Sequence, residues 1–185
     1  DRAVESARFG QQAMFRFPGQ AEYPQVRLFD PSVPDLPPEH AVRAGRDGIE
    51  HVTSEFPHAD CSADIVWSVG HRALLNSSGL RFEEEGTRFD SGISSLLVQG
   101  DSLVWADEGG SSRRLDLDLH PHAERIRAAL KLARREVTLG CENIPILFAP
   151  KCLGVILEAF EINLNGKAVQ KGISTLNGRE GEPVA

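Results

Sequence analysis

Histidines, cysteines and clustered carboxylates are the residues of this 185-residue chain whose chemistry needs placing first. His120-Pro121-His122 is the nearest approach to a metal-binding pair. Alternate residues of an extended segment can face one ion. No Cys, Asp or Glu stands at a recognisable companion spacing, and the pair falls at a predicted helix start, so it reads as capping or exposed imidazoles. His71, beside Gly70, reads as a turn residue. His40, His51 and His58 lie on or beside one predicted helix. His51 and His58 would share a face only if that helix ran past Pro57, which ends it.

Glu83-Glu84-Glu85 and the pair Asp116 and Asp118 supply neighbouring carboxylates. Acid–base chemistry needs carboxylates whose surroundings push their pKa values apart. Consecutive glutamates in a strand or turn instead read as a solvated edge, where charge discourages pairing with another sheet. Cys152 falls at a helix start, a place that favours the thiolate. With no histidine near in sequence, Cys141 and Cys152 read as buried structural thiols. Neither a G-x-S-x-G elbow nor a phosphate-binding glycine loop is present. No residue is assigned a catalytic, cofactor-binding or metal-binding role in this chain.

Bulk properties narrow the class. The net charge is −7, which opposes sequence-independent binding to a phosphate backbone. Arg113-Arg114 and Arg134-Arg135 are the local basic spots and read as solvated surface. Cys61, Cys141 and Cys152 are odd in number and match no CxxC spacing, as expected of free thiols in a reducing cytoplasm. The apolar runs Ile144–Pro150 and Leu153–Leu157 fall far short of the ~20 residues of a membrane span. Residues 1–15 lack the apolar core of a signal peptide. The expected setting is cytoplasmic, with no membrane and no direct nucleic-acid contact.

These residues must be positioned by a short list of elements. Val4, Ala7 and Met14 form a weak stripe, so a short helix is expected within residues 1–15. The proline-punctuated stretch from Phe17 to Pro38 reads as an extended linker or surface crossing. A helix then begins near Pro37-Pro38, where proline suits the first turn, with Val42, Ile49, Val52 and Phe56 as its face. From Ala59 to Leu115 the period changes. Ile65, Trp67 and Val69 alternate with polar neighbours, and Ala73–Leu75 reads as a second short strand. Leu80–Glu85, Phe89–Gln99 and Leu103–Trp105 follow between turn clusters, which predicts an antiparallel meander. A third helix is expected over Pro121–Leu139, capped by Asp118 or His120, with Ile126, Leu130, Ala133 and Val137 buried. Ile144–Ala149 reads as an apolar strand, and Pro150–Ile162 as a helix with the stripe Leu153, Ile156, Leu157 and Phe160. Asn163–Ala185 has no sustained period. The order predicts a single α+β domain over 1–185, a largely antiparallel sheet with helices packed on it. The untied C-terminal residues read as the end of a fragment.

The C-terminal third carries a family resemblance. Asn143–Pro150 (NIPILFAP), Leu153–Leu157 (LGVIL), Lys171–Ser174 (KGIS) and Gly178–Glu182 (GREGE) follow one another as in the TldD/PmbA family, once called modulators of DNA gyrase. Asn76–Gly79 (NSSG) resembles that family's turn in the meander, and the proline-rich stretch before the second helix fits as well. The resemblance implies more chain than this, including a β-rich C-terminal domain beyond residue 185. It also implies two kinds of subunit. TldD-like members resemble zinc metallopeptidases, with H-E-x-x-x-H on the helix after the proline-ended strand. There imidazoles hold the ion and the glutamate polarises the attacking water. PmbA-like or TldE-like members lack the motif and pair with a TldD-like subunit. Here that helix offers Glu158 and Glu161, and no histidine follows His122. The resemblance therefore implies a TldE-like subunit acting with a TldD-like partner on peptides or small proteins, with zinc expected in the partner and none in this chain. Two other readings stay open: an active metallopeptidase whose ligands lie outside this sequence, and a protein-binding modulator of DNA gyrase.

Overall fold

Two tight turns, at Gly79 and Gly100, fold residues 60–112 back on themselves. Both glycines have positive φ, 87° and 57°, a region that other residues rarely adopt. At the first turn, Asn76 Oδ1 accepts from the backbone N–H groups of Ser78 and Leu80. The resulting strands are β1 (Asp60–Leu75), β2 (Arg81–Gln99) and β3 (Ser102–Ser112), in the order β1-β2-β3. Both pairings are antiparallel. The computed structural model describes residues 2–10, 16–135, 137, 140, 143–179 and 181–183.

The meander is the expected one, but its strands are longer. Ala73–Leu75 continues β1, and Leu80–Glu85 merges with Phe89–Gln99 through Gly86. Gly70 and Gly86 are direct cross-strand partners, so the glycines that suggested breaks face each other and the pairing runs through them. β3 pairs only with Phe89–Gln99. The far halves of β1 and β2 therefore project as a two-stranded ribbon.

A strap formed by residues 16–30 runs along that ribbon. Asn76 Nδ2 donates to the Pro18 carbonyl at 2.8 Å, and Arg81 N donates to Gln20 Oε1 at 3.0 Å. Tyr23 meets Phe82 edge to face. Thr87 N donates to the Leu28 carbonyl at 2.9 Å. The expected linker is thus a packed segment, and its continuation buries Val33 and Leu36 in a cluster with Ala41 and Phe89.

Helices α2 (Pro38–Thr53) and α3 (His120–Ala133) cover one sheet face. The buried face of α2 is Ala41, Gly45, Gly48 and Val52, while Val42 is exposed. Small side chains let the helix lie close to the sheet. A Cβ on Gly48 would sit 2.7 Å from Ile93 Cδ1, and one on Gly45 3.3 Å from Ala63 Cβ. The apolar-residue pattern found Val52 and Phe56, both buried, but missed Gly45 and Gly48, because glycine carries no hydrophobic signal.

On α3 the buried residues are Ala123, Ile126 and Leu130. The helix stops at Ala133, so Val137 lies beyond it and is exposed. Leu139 lies outside the described residues. These helices enclose a core that includes Val52, Phe56, Ile93, Leu97, Leu119, Ile126 and Leu130. The α+β architecture expected from the sequence is present.

The basic pairs are partly anchored. Arg113 Nη1 donates to the Thr87 carbonyl, and the Arg134 guanidinium lies 4.5 Å from the Phe56 ring centroid. The sulfur of Cys61 is 3.4 Å from Ser95 Oγ. Helix α1 (Arg2–Ala7) is present within the expected span, with no buried residue. Met14 lies outside the described residues.

The chain divides into two compact units, Asp1–Glu136 and Val137–Ala185. In the second, a 3-10 turn at Pro150–Cys152 leads into α4 (Leu153–Leu164), and α5 (Gly166–Gln170) follows. Asn165 caps α5 by accepting from Lys167 N and Ala168 N. Ser174 Oγ donates to the Asn163 carbonyl at 2.6 Å, and Thr175 N donates to Asn163 Oδ1. The expected strand at Ile144–Ala149 is not formed: a strand needs a hydrogen-bonded neighbour, and among the described residues none pairs with this segment. The stripe expected on α4 is not buried either. Leu153, Leu157 and Phe160 are exposed, as are Val155 and Ile162 on its other faces.

Candidate functional site

The proline after His120 starts α3, and the helix separates the imidazole pair. His120 N donates to Asp118 Oδ1 at 3.1 Å, and Asp118 N donates to Asp116 Oδ1. The two aspartates thus act as local turn formers leading into α3. Residues two apart on a helix do not face each other, so His120 and His122 do not converge on one ion. Nδ1 of His122 is buried without a hydrogen-bond partner among the described residues. Among the described residues no group of three or more His, Cys, Asp or Glu is placed to hold a metal.

The other sequence candidates are also dispersed. His71 stands in β1, not in a turn, and pairs with Glu85 across the ribbon at 3.2 Å. Glu84 pairs with Arg72 and Glu83 with Arg81. Each of the three glutamates therefore meets a basic side chain on the ribbon. His58 lies beyond the end of α2, so it does not share a helical face with His51. Cys152 sits at the N-terminal boundary of α4 and is exposed, contrary to the buried-thiol expectation. Among its described residues α4 has none that is buried. Cys141 lies outside the described residues.

The structure brings together a different set. His51 near the end of α2 meets His120, Glu124 and Arg127 on α3. The His51 and His120 rings lie edge to face, 4.7 Å between centroids. His51 Nε2 contacts Glu124 Oε1 and is 2.9 Å from Arg127 Nη1. Arg127 also donates from Nη1 to Glu124 at 2.6 Å, and from Nε and Nη2 to Glu55 Oε2 at 2.9 and 2.6 Å. Lys131 Nζ closes on the same Glu55 oxygen at 3.0 Å.

These contacts set the local electrostatics. The hydrogen bond with His51, aided by the charge of Arg127, holds the Glu124 carboxyl below the usual range. Hydrogen bonds from Arg127 and Lys131 do the same for Glu55. Glu124, Arg127 and Lys131 were missed in the sequence. The available signal was spacing: His120, Glu124, Arg127 and Lys131 recur every three or four residues, beside the apolar stripe of Ala123, Ile126 and Leu130.

Next to this cluster an open cleft of about 290 Å³ is lined by His40, Arg43, Asp47, Gly48, Leu119 and His120, among others. Its floor comes from the same close approach of α2 that Gly48 permits. The arrangement holds charges in fixed positions between two helices. It contains no nucleophile–base pair.

In the second unit, α4 presents Glu158 and Glu161, both exposed. A zinc-peptidase helix supplies two imidazoles and a glutamate. Carboxylates without imidazole do not fit that donor set.

Comparison with known proteins bears on this second unit first. Residues 141–185 match the family model described as the PmbA/TldA metallopeptidase C-terminal domain. The match is to the PmbA/TldD family. It is the family that the sequence resembles. Among solved structures, the chain is similar to TldE from Thermococcus kodakarensis, with a TM-score of 0.73 and 20% identity. That similarity covers 96% of this chain and 41% of that one. It is also similar to a protein from Thermotoga maritima MSB8, described as a candidate modulator of a DNA gyrase. There the TM-score is 0.70 at 17% identity, over 91% of this chain and 40% of that one. At such identities these two likenesses establish the fold. The chain spans about two fifths of the length of either structure. A comparison with curated proteins finds no match. Among the described residues no helix is long and apolar enough to cross a membrane.

Proposed function

We propose that this chain is part of a PmbA/TldE-like subunit, the non-catalytic member of a TldD-type metallopeptidase assembly acting on peptides or small proteins in the cytoplasm. The observation that carries the reading is the composition of α4. That helix lies inside the PmbA/TldD family match, yet it offers Glu158 and Glu161 with no histidine. In this reading α4 serves structure and subunit contact, and zinc belongs to the TldD-like partner. In this reading residues 141–185 belong to the C-terminal domain of such a subunit.

The test is reconstitution. The full-length protein is expected to co-purify with a TldD-like subunit and to bind no stoichiometric zinc alone. The assembly is expected to cleave peptides in a zinc-dependent manner, and Glu158→Gln with Glu161→Gln in this subunit should leave that cleavage unchanged. Zinc-dependent cleavage by the full-length protein alone would instead establish an active peptidase with ligands outside this sequence. The description of the Thermotoga maritima structure favours one further reading, a protein-binding modulator of DNA gyrase. Binding of purified gyrase with no TldD-like partner would support that reading over the first.

A further inference from the structure

The α2–α3 cluster places incompatible demands on one atom. His51 Nε2 touches Glu124 Oε1, which can only accept a hydrogen bond, and Arg127 Nη1, which can only donate one. Without a proton, Nε2 accepts from Arg127. With a proton, it donates to Glu124. It cannot do both, so the occupancy of this atom selects the partner.

We propose that His51 is a proton-operated latch between α2 and α3, held by Arg127 when Nε2 is unprotonated and by Glu124 when the imidazole is charged. The neighbours are arranged to support both states. Arg127 Nη1 has two hydrogens, enough for both Glu124 and His51, while Nε and Nη2 each donate to Glu55. It therefore stays anchored whichever partner His51 takes. Counting Glu55, Glu124, Arg127 and Lys131, the cluster is neutral when His51 is neutral. Protonation leaves it with an uncompensated positive charge, adjacent to the His120 ring.

The sheet contributes Cys61, Ala63, Ile65 and Ile93 beneath α2, and the Glu108–Arg125 pair is satisfied between β3 and α3. On α2 itself, Asp47 stands one turn before His51 and lines the cleft. His120 is common to the latch and the cleft: its ring leans on His51 and its side chain forms part of the lining. Imidazole is the side chain whose charge changes between pH 5 and 8. A change of partner at His51 thus reaches the cleft through His120.

The test reads the proton position directly, by nitrogen-15 NMR of histidine side chains in the full chain. At pH 8, His51 is expected as the Nδ1–H tautomer, with Nε2 accepting. Arg127→Met should reverse it to the Nε2–H tautomer, donating to Glu124, whereas Glu124→Gln should leave it as in the parent. When His51 is protonated its Nε2–H should move to Glu124, so the carbon-13 resonance of the Glu124 carboxylate should shift on acidification in the parent and shift less in His51→Phe. An Nε2–H tautomer in the parent at pH 8, or no reversal in a folded Arg127→Met, would overturn the proposal. If Arg127→Met fails to fold, the tautomer of the parent at pH 8 decides alone: Nδ1–H supports the latch and Nε2–H refutes it.

Discussion

Replacing Gly48 by alanine sets two effects of known sign against each other. In a helix interior, glycine to alanine gains about 1 kcal/mol from propensity. Against that, the new Cβ would lie 2.7 Å from Ile93 Cδ1 and 3.2 Å from Leu119 Cβ. Ile93 and Leu119 are almost wholly buried, so neither can swing into solvent. Overpacking of this kind costs roughly 1–3 kcal/mol. Because Gly48 has one contact well inside van der Waals distance and a second tight one, the larger part of that range applies. The net expectation is a loss of about 1–2 kcal/mol after the propensity gain is subtracted.

Gly45 supplies the control. Its Cβ would meet only Ala63 Cβ, at 3.3 Å, so Gly45→Ala is expected between neutral and about 1 kcal/mol more stable. Urea unfolding followed by circular dichroism, with a common slope, reads both. A third variant isolates the contact. Ile93→Val removes Cδ1 and alone costs about 0.5–1.5 kcal/mol, but in the Gly48→Ala background it should cost markedly less, because it relieves the clash. If Gly48→Ala is as stable as Gly45→Ala, or if Ile93→Val costs the same in both backgrounds, close helix–sheet approach is not what these glycines provide.

Other substitutions and conditions have equally definite outcomes. Thr87 is fully buried, accepts from Asp30 N at 3.0 Å and donates to the Arg113 carbonyl at 2.6 Å. Thr87→Val strands both groups and should cost about 2–3 kcal/mol in a denaturant titration, whereas Thr87→Ser should cost less than half of that. Ile126, buried at the centre of α3, should lose about 2–5 kcal/mol on truncation to alanine, read as a lowered thermal midpoint. Asp30, Glu55, Asp90 and Glu124 all have lowered pKa values, chiefly through hydrogen bonds from Ser32, Arg127, Arg88 and His51 respectively. A carboxyl that is more acidic when folded stabilises the protein above its unfolded pKa and loses that contribution as pH falls through the folded value. The thermal midpoint should therefore fall on acidification below the ordinary carboxylate values of 3.8 and 4.5. Glu55→Gln should shrink that fall, and an equal fall in the variant would exclude this carboxylate as a contributor.

Sequence made some of these elements visible and hid others for identifiable reasons. The meander was legible because Ile65 and Trp67 stand two apart, on one strand face, and Asn76–Gly79 is strong turn chemistry. Its strand lengths were not, since Gly70 and Gly86 look like breaks singly and only the register shows them paired. The face of α3 was legible from Ile126 and Leu130. The face of α2 was legible at Val52 and Phe56 only, because Gly45 and Gly48 contribute through the absence of a side chain. The absence of histidine on α4 could be read directly. The His51 cluster could not, since Glu55 and Arg127 are 72 residues apart and no local pattern links them.

The strap over the ribbon has a kinetic consequence. Each turn of the meander joins strands that are neighbours in the chain, a topology whose contacts form early because little loop entropy is lost. The strap's hydrogen bonds to the ribbon instead span 57 to 61 residues. They can form only after the ribbon exists, and by the same reasoning they are first to be released. Opening there exposes little of the core, so residues 16–30 are expected to exchange amide hydrogens and admit proteases while α2, α3 and the sheet remain closed.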